Sequence, residues 1–353
     1  MTQKGVSVIV CTYNGTKRLP KTLRHLANQV IPAGLQWEVI VVDNNSNDHT
    51  FEAVKTEWAS YNTSIAFTLA RQPKPGVSYA REMGIEISRY AYLIQCDDDN
   101  WLAPDYVAKV VELLDNNNNF GIIGGRSTGF FEIEPPEWFH NFSTAYAVGQ
   151  RRKTSTPINW LATAGVGIRR AALDELKAIG FQHILSGRKG KNLVAGDDLE
   201  LCAAIRALGY EVYFTTELNF VHYMSANRLN WEYLKKMVAG QARPQSVFDM
   251  YSIVHSLHLE HKAINFDVVY NILWQQVTAP IKKRCNTFKK KIQFLRSFLS
   301  YREGDKYQFE NRSHISYLKY LVFRKKEIKG MYNAIIQFYE RVKTARQINN
   351  PLL

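Results

Sequence analysis

Strand-like and helix-like segments alternate over the first 125 residues of this chain. Apolar runs at residues 6–11, 39–42 and 92–96 have the length of buried strands, and stretches of helical length separate them. Tight turns can join antiparallel strands, whereas parallel strands need a crossover of this length. The alternation therefore predicts an α/β fold with a mostly parallel central sheet flanked by helices.

The positive charge of the chain is concentrated in its last fifth. Residues 281–353 contain 18 Lys and Arg against 5 Asp and Glu, whereas residues 1–280 contain 27 of each class. Large apolar residues alternate with these cations at helical spacing, which is typical of helices that lie on anionic membranes. We therefore expect peripheral membrane contact through residues 281–330. A helical appendage packed on the rest of the chain is the alternative, and no nucleic-acid partner is expected because no binding module is recognised.

The sequence favours a cytoplasmic location. No apolar run approaches the ~20 residues that a membrane-spanning helix requires, and no signal-peptide pattern precedes the first strand. The cysteines lack metal-ligand spacing and indicate free thiols in a reducing compartment; they are Cys11, Cys96, Cys202 and Cys285. We expect a cytoplasmic protein, peripheral on the inner face of the cytoplasmic membrane.

Three consecutive aspartates, Asp97, Asp98 and Asp99, follow an apolar run directly. The carboxyl ends of parallel strands form the crevice in which open α/β sheets bind ligands. Neighbouring carboxylates repel one another, so the triplet needs a compensating cation or hydrogen-bond donor. Mg²⁺ is often held by one or two carboxylates together with substrate phosphates. The triplet thus indicates a metal-bridged nucleotide site, and a solvated acidic turn is the alternative.

Two further acidic positions fall at the ends of predicted elements. Asp43 follows the second apolar run, and the pair Asp197-Asp198 opens an amphipathic helix. Asp43 and the triplet should converge on one crevice because their strands are expected to be neighbours. The first strand leads into residues 12–16 without the G-x-G-x-x-G turn of dinucleotide-binding enzymes, which disfavours a dehydrogenase.

Five segments of the chain resemble the motifs of family-2 glycosyltransferases with a GT-A fold; they are residues 6–14, 41–50, 76–81, 97–99 and 196–201. The resemblance covers about residues 5–245. It implies a Rossmann-like catalytic domain over residues 1–245, with a nucleotide half at about 1–125 and an acceptor half at about 126–245. A basic, amphipathic helical extension would occupy residues 246–353.

By this resemblance, three segments provide the nucleotide contacts. Thr12, Tyr13 and Asn14 would form the base-contacting loop. Asp43 would hydrogen-bond a uracil-type base, and Arg81 would lie beside the nucleotide.

Asp97-x-Asp99 is similar to the DxD motif of the family. The resemblance implies that Asp97 faces the nucleotide, with metal ligation as a second role, and that Asp99 coordinates Mg²⁺ or Mn²⁺ on the diphosphate. Asp98 could share either task and is grouped with the nucleotide contacts. His222 is a further candidate ligand because several GT-A enzymes use a histidine near this point. A histidine packed in the core is the alternative.

Residues 196–201 are similar to the Gly-Glu-Asp motif of the family, with Asp197 in place of the usual Glu. The resemblance makes Asp198 the catalytic base, with Asp197 beside it, and a helix N-cap is the structural alternative. A metal ion can stabilise a departing diphosphate, and a carboxylate can take the proton of an acceptor hydroxyl. One base opposite the leaving group gives inversion.

A few residues are candidates for contacts with acceptor or phosphate. Trp160 and Trp138 could stack on sugar rings, although core packing is the default for tryptophan. Arg228 lies in a segment that resembles a family extension near the diphosphate. Residues 187–191 form a candidate lid with glycine hinges, a solvated loop being the alternative.

The sequence thus predicts an inverting glycosyltransferase of the hexosyltransferase type. Its donor would be a nucleotide-diphosphate sugar, with UDP preferred, and its acceptor a hydroxyl of a cell-surface glycan or lipid-linked precursor. A nucleotidyltransferase and a non-catalytic nucleotide-sugar-binding protein are the alternatives.

Overall fold

The computed structural model describes residues 3–149, 152–187, 196–299 and 302–349. Its first part alternates strands and helices: β1 (Gln3–Thr12), α1 (Leu19–Ala27), β2 (Trp37–Asp43), α2 (Thr50–Ser60), β3 (Ala66–Arg71), α3 (Val77–Ile87), β4 (Tyr90–Asp97), β5 (Asn100–Leu102), α4 (Tyr106–Asn116) and β6 (Phe120–Phe131). The middle contains α5 (Phe139–Phe142), β7 (Thr156–Pro157), β8 (Val166–Arg169), α6 (Arg170–Ala178), α7 (Asp197–Ala207), β9 (Glu211–Met224) and α8 (Trp231–Val238). Helices then follow: α9 (Ala242–Leu259), α10 (Phe266–Arg284), α11 (Phe288–Arg296), α12 (Lys306–Phe323) and α13 (Lys325–Asn349).

Within the described residues, the strands form one nine-stranded sheet in the order β3-β2-β1-β4-β8-β6-β9-β5, with β7 paired to β9. The first four strands pair in parallel, as does β6 with β9. β8 runs antiparallel to β4 and β6, and β5 and β7 run antiparallel to β9. The α/β class is confirmed, and the sheet is mixed in its second half. β5 and β7 have only three and two residues, too few to show a periodic pattern in the sequence.

The strands β1, β2 and β4 are largely apolar because helices cover both of their faces. Val8 and Val41 pack on one side with Leu23 of α1. On the other side, Ile40 packs with Ala80 of α3. Burial on both faces explains why these strands appear in the sequence as continuous apolar runs rather than alternating ones.

β6 is a long strand of 12 residues. Its register against β9 shifts between Gly124 and Arg126. A Cβ on Gly125 would lie 1.8 Å from the carbonyl oxygen of Leu218, so the close approach of the two strands requires glycine here. The glycines that make this bulge possible are the residues that hide the strand from a propensity argument.

Three of the C-terminal helices begin at side-chain caps, and the C-terminal helices share a core with the sheet. Asn265, Thr287 and Asp305 each accept a backbone N–H of the first turn, at the starts of α10, α11 and α12. Phe338 of α13 belongs to the same buried cluster as Ile205 of α7. The domain boundary placed at residue 245 falls within α9, and the division into two domains stays a prediction. Among the described helices, none carries an apolar stretch sufficient to span a bilayer.

The register of the sheet sets the position of the acidic residues. Thr12 lies opposite Asp43 at the end of the β1–β2 pair, and Cys11 lies opposite Asp97 in the β1–β4 pair. The carboxyl ends of β1, β2 and β4 therefore meet at one edge of the sheet.

Candidate active site

The loop after β1 is fastened to the segment after β2. The backbone N–H of Asn14 donates to Ser46 Oγ over 2.9 Å, and that of Gly15 donates to Thr50 Oγ1 over 2.8 Å. Asn14 has φ 52°, in the left-handed region that Asn tolerates better than most residues. Tyr13 is half-exposed on this loop. These hydrogen bonds hold the predicted base-contacting loop beside the carboxyl end of β2.

Asp43 ends β2 and is buried. Its Oδ1 accepts the backbone N–H of Ser46 over 3.1 Å, and its Oδ2 lies 3.9 Å from Arg71 Nε. Within the described part of the chain, Oδ2 accepts no hydrogen bond. One oxygen of Asp43 shapes the turn, and the other is left as an acceptor for an incoming N–H group.

Asp98 is occupied by contacts inside the fold. Arg18 donates from Nε and Nη2 to its two oxygens over 3.1 and 2.8 Å, and Thr12 Oγ1 donates to Oδ2 over 2.7 Å. Thr22 Oγ1 donates to its backbone carbonyl over 2.9 Å. Asp98 therefore fastens the end of β4 to β1 and α1. Sequence reasoning missed Arg18 because nothing in the local pattern distinguishes it from the adjacent Lys17.

Asp99 has different partners. Arg228 Nη1 donates to its Oδ2 over 2.9 Å, and His222 Nε2 lies 3.4 Å from its Oδ1. Burial disfavours the charged form, but His222, Arg228 and Arg18 outweigh it and hold the pKa of Asp99 well below its usual range. Asp99 is therefore an anion at neutral pH. It lies beside His222 of β9 and Arg228 of the turn after β9, the two residues that the sequence analysis named as candidates for metal and phosphate contact.

The side chains around Asp99 fit a divalent cation that is shared with substrate phosphates rather than one coordinated by protein ligands alone. In the described ranges, no three His, Cys, Asp or Glu side chains converge as a metal site. Mg²⁺ at nucleotide sites commonly has only one or two protein ligands, the rest being phosphate and water. Asp99 and His222 provide such a pair, and the buried Nδ1 of His222 has no hydrogen-bond partner among the described residues.

Arg81 joins the triplet to the start of α7. Its Nη1 donates to Asp197 Oδ2 over 2.7 Å, and its Nη2 lies 3.8 Å from Asp97 Oδ1. Burial alone would lower the pKa of Arg81, but Asp197 and Asp97 raise it above its ordinary value. Asp97 is the most exposed carboxylate of the triplet. Asp97 is therefore the triplet member most open to a ligand, on the side of the crevice that faces α7.

The two aspartates of α7 have different surroundings. Gly196 occupies the N-cap position, so the capping alternative does not describe either aspartate. Asp197 is buried against Arg81, whereas Asp198 is half-buried and its Oδ1 accepts the N–H of Leu199 over 2.8 Å. The positive end of the helix dipole stabilises an anion in this first turn. Asp198 is thus the more accessible carboxylate of the pair.

Glu200 is a buried acid of α7 that the sequence analysis did not identify. It accepts the backbone N–H groups of Ile184 and Leu185 over 3.0 and 2.8 Å and the hydroxyl of Tyr251 over 3.3 Å. His183 Nδ1 lies 3.4 Å from its Oε2. Glu200 therefore fixes the segment before the candidate lid to both α7 and α9. Its only sequence signal is an acid on the inward face of the helix.

The start of the candidate lid lies against the site. Gly187 donates its N–H to Ser78 Oγ over 3.0 Å. A Cβ on Gly187 would lie 2.8 Å from Asp197 Oδ2, so the backbone passes close to α7 here. Residues 188–191 of the predicted lid lie outside the described residues.

The two candidate tryptophans differ in exposure. Trp160 is half-exposed between β7 and β8 and precedes Leu161, whose N–H donates to Cys202 Sγ of α7 over 3.5 Å. Trp138 is buried, packs on Trp231 with 5.1 Å between ring centroids, and is therefore a core residue. The surface of Trp160 remains available for stacking.

The model of the family described as Glycosyl transferase family 2 matches residues 7–177. The glucosyl-dolichyl phosphate glucuronosyltransferase of Haloferax volcanii is 24% identical over 250 residues, which cover 69% of this chain and 77% of that protein. The poly(ribitol-phosphate) beta-N-acetylglucosaminyltransferase TarP of Staphylococcus aureus is 28% identical over 123 residues, which cover 34% of this chain and 36% of that protein.

Solved structures show the same fold over nearly the whole chain. The crystal structure of S. aureus TarS 1–349 in complex with UDP-GlcNAc gives a TM-score of 0.51 at 16% identity, covering 97% of this chain and 92% of that one. The complex of the same fragment with UDP gives a TM-score of 0.50 at 14% identity, covering 97% and 91%. At these identities the likeness shows the fold alone. Together with the named relatives and the match of residues 7–177 to glycosyl transferase family 2, it shows that this chain is a glycosyltransferase of GT-A type.

Proposed function

We propose that this glycosyltransferase transfers a sugar, with inversion, from a UDP-linked donor to a hydroxyl of a cell-surface glycan or lipid-linked precursor. The observation that carries the proposal is the contrast between Asp197 and Asp198 at the start of α7. Asp197 is buried and paired with Arg81, whereas the side chain of Asp198 is half-buried and so more open to an incoming acceptor. This exposure is what makes Asp198 the better candidate for chemistry on a substrate.

Asp198 is the proposed general base. It takes the proton of the acceptor hydroxyl while that oxygen attacks the anomeric carbon from the face opposite the leaving group. The bond from this carbon to the diphosphate oxygen breaks, and the nucleoside diphosphate leaves with the electron pair. A single displacement of this kind inverts the anomeric configuration.

The leaving diphosphate is the proposed ligand of the region around Asp99. Asp99, with His222 and Asp97 as further candidates, would hold Mg²⁺ or Mn²⁺, which when bound supplies Lewis-acid stabilisation of the departing charge. Arg228 pairs with Asp99 over 2.9 Å, and its proposed role is a contact with the same diphosphate. Arg81 adds a second cation on the side of Asp97.

The preference for UDP rests on two supports. The Oδ2 atom of Asp43 is an acceptor suited to the imide N–H of a uracil-type base, with Thr12, Tyr13 and Asn14 forming the edge beside it. Structures of the same fold from S. aureus TarS hold UDP and UDP-GlcNAc. The related transferases are named for a dolichyl-phosphate-linked sugar and for poly(ribitol phosphate), which supports a lipid-linked or polymeric acceptor. Trp160 is the proposed acceptor contact.

The proposed location is the cytoplasm, at the inner face of the cytoplasmic membrane, where a nucleotide donor and a lipid-linked acceptor would meet. A nucleotidyltransferase is disfavoured by the match of residues 7–177 to a glycosyltransferase family. A binding protein without catalysis remains a distinct outcome of the experiment below.

Calorimetric titration of UDP, GDP, TDP and CMP, with Mn²⁺ and with EDTA, tests the donor site. We expect UDP to bind most tightly of the four nucleotides, and to bind more tightly with Mn²⁺ than with EDTA. Asp99→Ala should lose the enhancement, whereas Asp105→Ala, an acid paired with Lys109 outside the site, should retain it. Equal, metal-independent binding of all four nucleotides would refute the proposed donor site. Tight binding of UDP-sugars without turnover on any glycan or lipid-linked acceptor would favour the binding protein.

A further inference from the structure

Helix α11 has two faces of opposite character. Its inward side carries Phe294, which is buried and packs against Phe298 with 5.2 Å between ring centroids. Asn311 of α12 donates to Ser297 Oγ over 3.0 Å, and Arg312 donates to the carbonyl of Phe298 over 3.2 Å. These contacts fasten α11 to α12 and fix which side of it faces solvent.

The outward side of α11 and of the turn after it is apolar. Phe288, Leu295 and Leu299 are 80%, 64% and 86% exposed. They follow one another at helical spacing, with the half-buried Ile292 between the first two, so they form one stripe. Exposed apolar residues that occur singly are ordinary, but a continuous stripe on a fixed helix marks a contact surface.

Cations lie on both sides of this stripe. At 100° per residue, Lys289 and Arg296 fall on one flank and Lys291 on the other, and all three are exposed. Within the described part of the chain, none of them is in an ion pair. The sequence contains no Asp or Glu from residue 281 to residue 302, so no neighbouring acid in the chain offsets their charge.

We propose that α11 lies in the plane of an anionic phospholipid surface and docks the enzyme there. Phe288, Leu295 and Leu299 reach below the headgroups, while Lys289, Lys291 and Arg296 contact phosphates at the headgroup level. An apolar stripe bordered by cations on both flanks matches the layered chemistry of such an interface. This surface narrows the contact expected over residues 281–330 to one helix and the turn after it. Placing this contact at the inner face of the cytoplasmic membrane rests on the proposed function, whereas the binding to anionic lipid does not.

Two other occupants fit the surface less well. A second copy of the chain docking face to face would bring the same cationic flanks together, because a twofold interface pairs identical patches. An extended acidic peptide needs a groove or a free sheet edge, whereas the outward side of α11 is a convex helix face.

Co-sedimentation of the full chain with vesicles tests the proposal. We expect binding to phosphatidylcholine vesicles that contain phosphatidylglycerol and much weaker binding to phosphatidylcholine alone. Neutralising the three flanking cations should weaken the binding about a hundredfold. The control neutralises three exposed lysines elsewhere, so that the net charge changes equally, and should bind within a few-fold of wild type. The variants are Lys289→Gln/Lys291→Gln/Arg296→Gln and Lys55→Gln/Lys177→Gln/Lys343→Gln.

The apolar stripe has its own variant and control. Replacing its three exposed members with serine should abolish sedimentation, whereas replacing exposed apolar residues on other surfaces should not. These variants are Phe288→Ser/Leu295→Ser/Leu299→Ser and Val30→Ser/Ile87→Ser/Leu259→Ser. In a separate variant, Phe288→Trp, brominated lipid should quench the new fluorescence, whereas Val30→Trp should not be quenched.

Several outcomes would overturn the proposal. They are absence of wild-type binding to anionic vesicles, equal losses in each variant and its control, and no quenching of the Phe288→Trp signal. A wild-type dimer in light scattering that the triple serine variant loses would assign the surface to a second copy instead. UDP titration of the same variants separates this result from the proposed function, because nucleotide binding should not change in any of them.

Discussion

Arg81 and Asp197 form a largely buried ion pair with 2.7 Å between Nη1 and Oδ2, although 116 positions separate them in the chain. The pair joins α3 to the first turn of α7. It also draws Arg81 toward Asp97, whose Oδ1 lies 3.8 Å from Nη2. One guanidinium thus joins the aspartate triplet to the first turn of α7, which also carries the proposed base.

Removing this guanidinium should destabilise the protein as well as lower its activity. Arg81→Ala leaves Asp197 buried without its partner, and we expect a loss of about 3 kcal/mol in the free energy of unfolding. Urea denaturation followed by circular dichroism measures this. Lys109→Ala, which removes a partly exposed pair with Asp105, should cost less than about 1 kcal/mol. Equal losses in the two variants would contradict the structural role of the Arg81–Asp197 pair.

Replacement of the proposed base should affect turnover and not donor binding. Asp198→Asn keeps the shape of the side chain but removes the proton acceptor, so kcat should fall about 10²- to 10⁴-fold while the Kd of UDP stays within twofold. Radiolabelled sugar transfer and calorimetry provide the two readouts. Asp174→Asn, an exposed acid on α6, is the control. Turnover near the wild-type level in Asp198→Asn would remove Asp198 from the mechanism.

Substitutions of the neighbours Asp98 and Asp99 should affect different properties of the protein. Asp98→Asn removes the charge and one of the two acceptor oxygens that contact Arg18 and Thr12, so we expect a loss of about 1–3 kcal/mol in unfolding free energy with the Mn²⁺ dependence of UDP binding retained. Asp99→Asn should instead lose the Mn²⁺ dependence. The reverse pattern would exchange the two roles. Thermal unfolding and calorimetry on the same samples decide between them.

The contact between His183 and Glu200 should make stability depend on pH. Burial lowers the pKa of His183, but its hydrogen bond and charge interaction with Glu200 raise it above the ordinary value. The stabilisation is therefore complete below the unfolded pKa of about 6.5 and is lost as the pH rises through the folded pKa. The difference in unfolding free energy between wild type and His183→Gln should thus shrink from acid to alkaline pH. A pH-independent difference for His183→Gln would count against the contact.

The local sequence contained enough information to predict β1, β2 and β4 and the helical segments between them. Each is a complete apolar or amphipathic segment, and the physical requirement that creates the pattern, burial on both faces or on one, acts within that segment. The acidic residues at the ends of β2 and β4 were predicted to meet for the same reason, because parallel strands place their carboxyl ends at one edge.

The second half of the sheet was less predictable. β6 and β9 meet at a bulge that glycine makes possible, and glycine weakens the strand signal. β5 and β7 are too short for any period. The order of these strands depends on pairings with distant partners, which no local pattern records.

By itself, the sequence determined the fold class and identified most of the acids around the candidate site, though not Glu200. Only the tertiary structure decided how they are partnered. Asp98 pairs with Arg18, Asp99 with Arg228, and Asp197 with Arg81. In each pair the two residues are distant in the chain, and whether a carboxylate is neutralised or left available depends on which side chains folding brings within hydrogen-bond distance. The chemistry of a single residue type is local, but its charge balance is a property of the folded site.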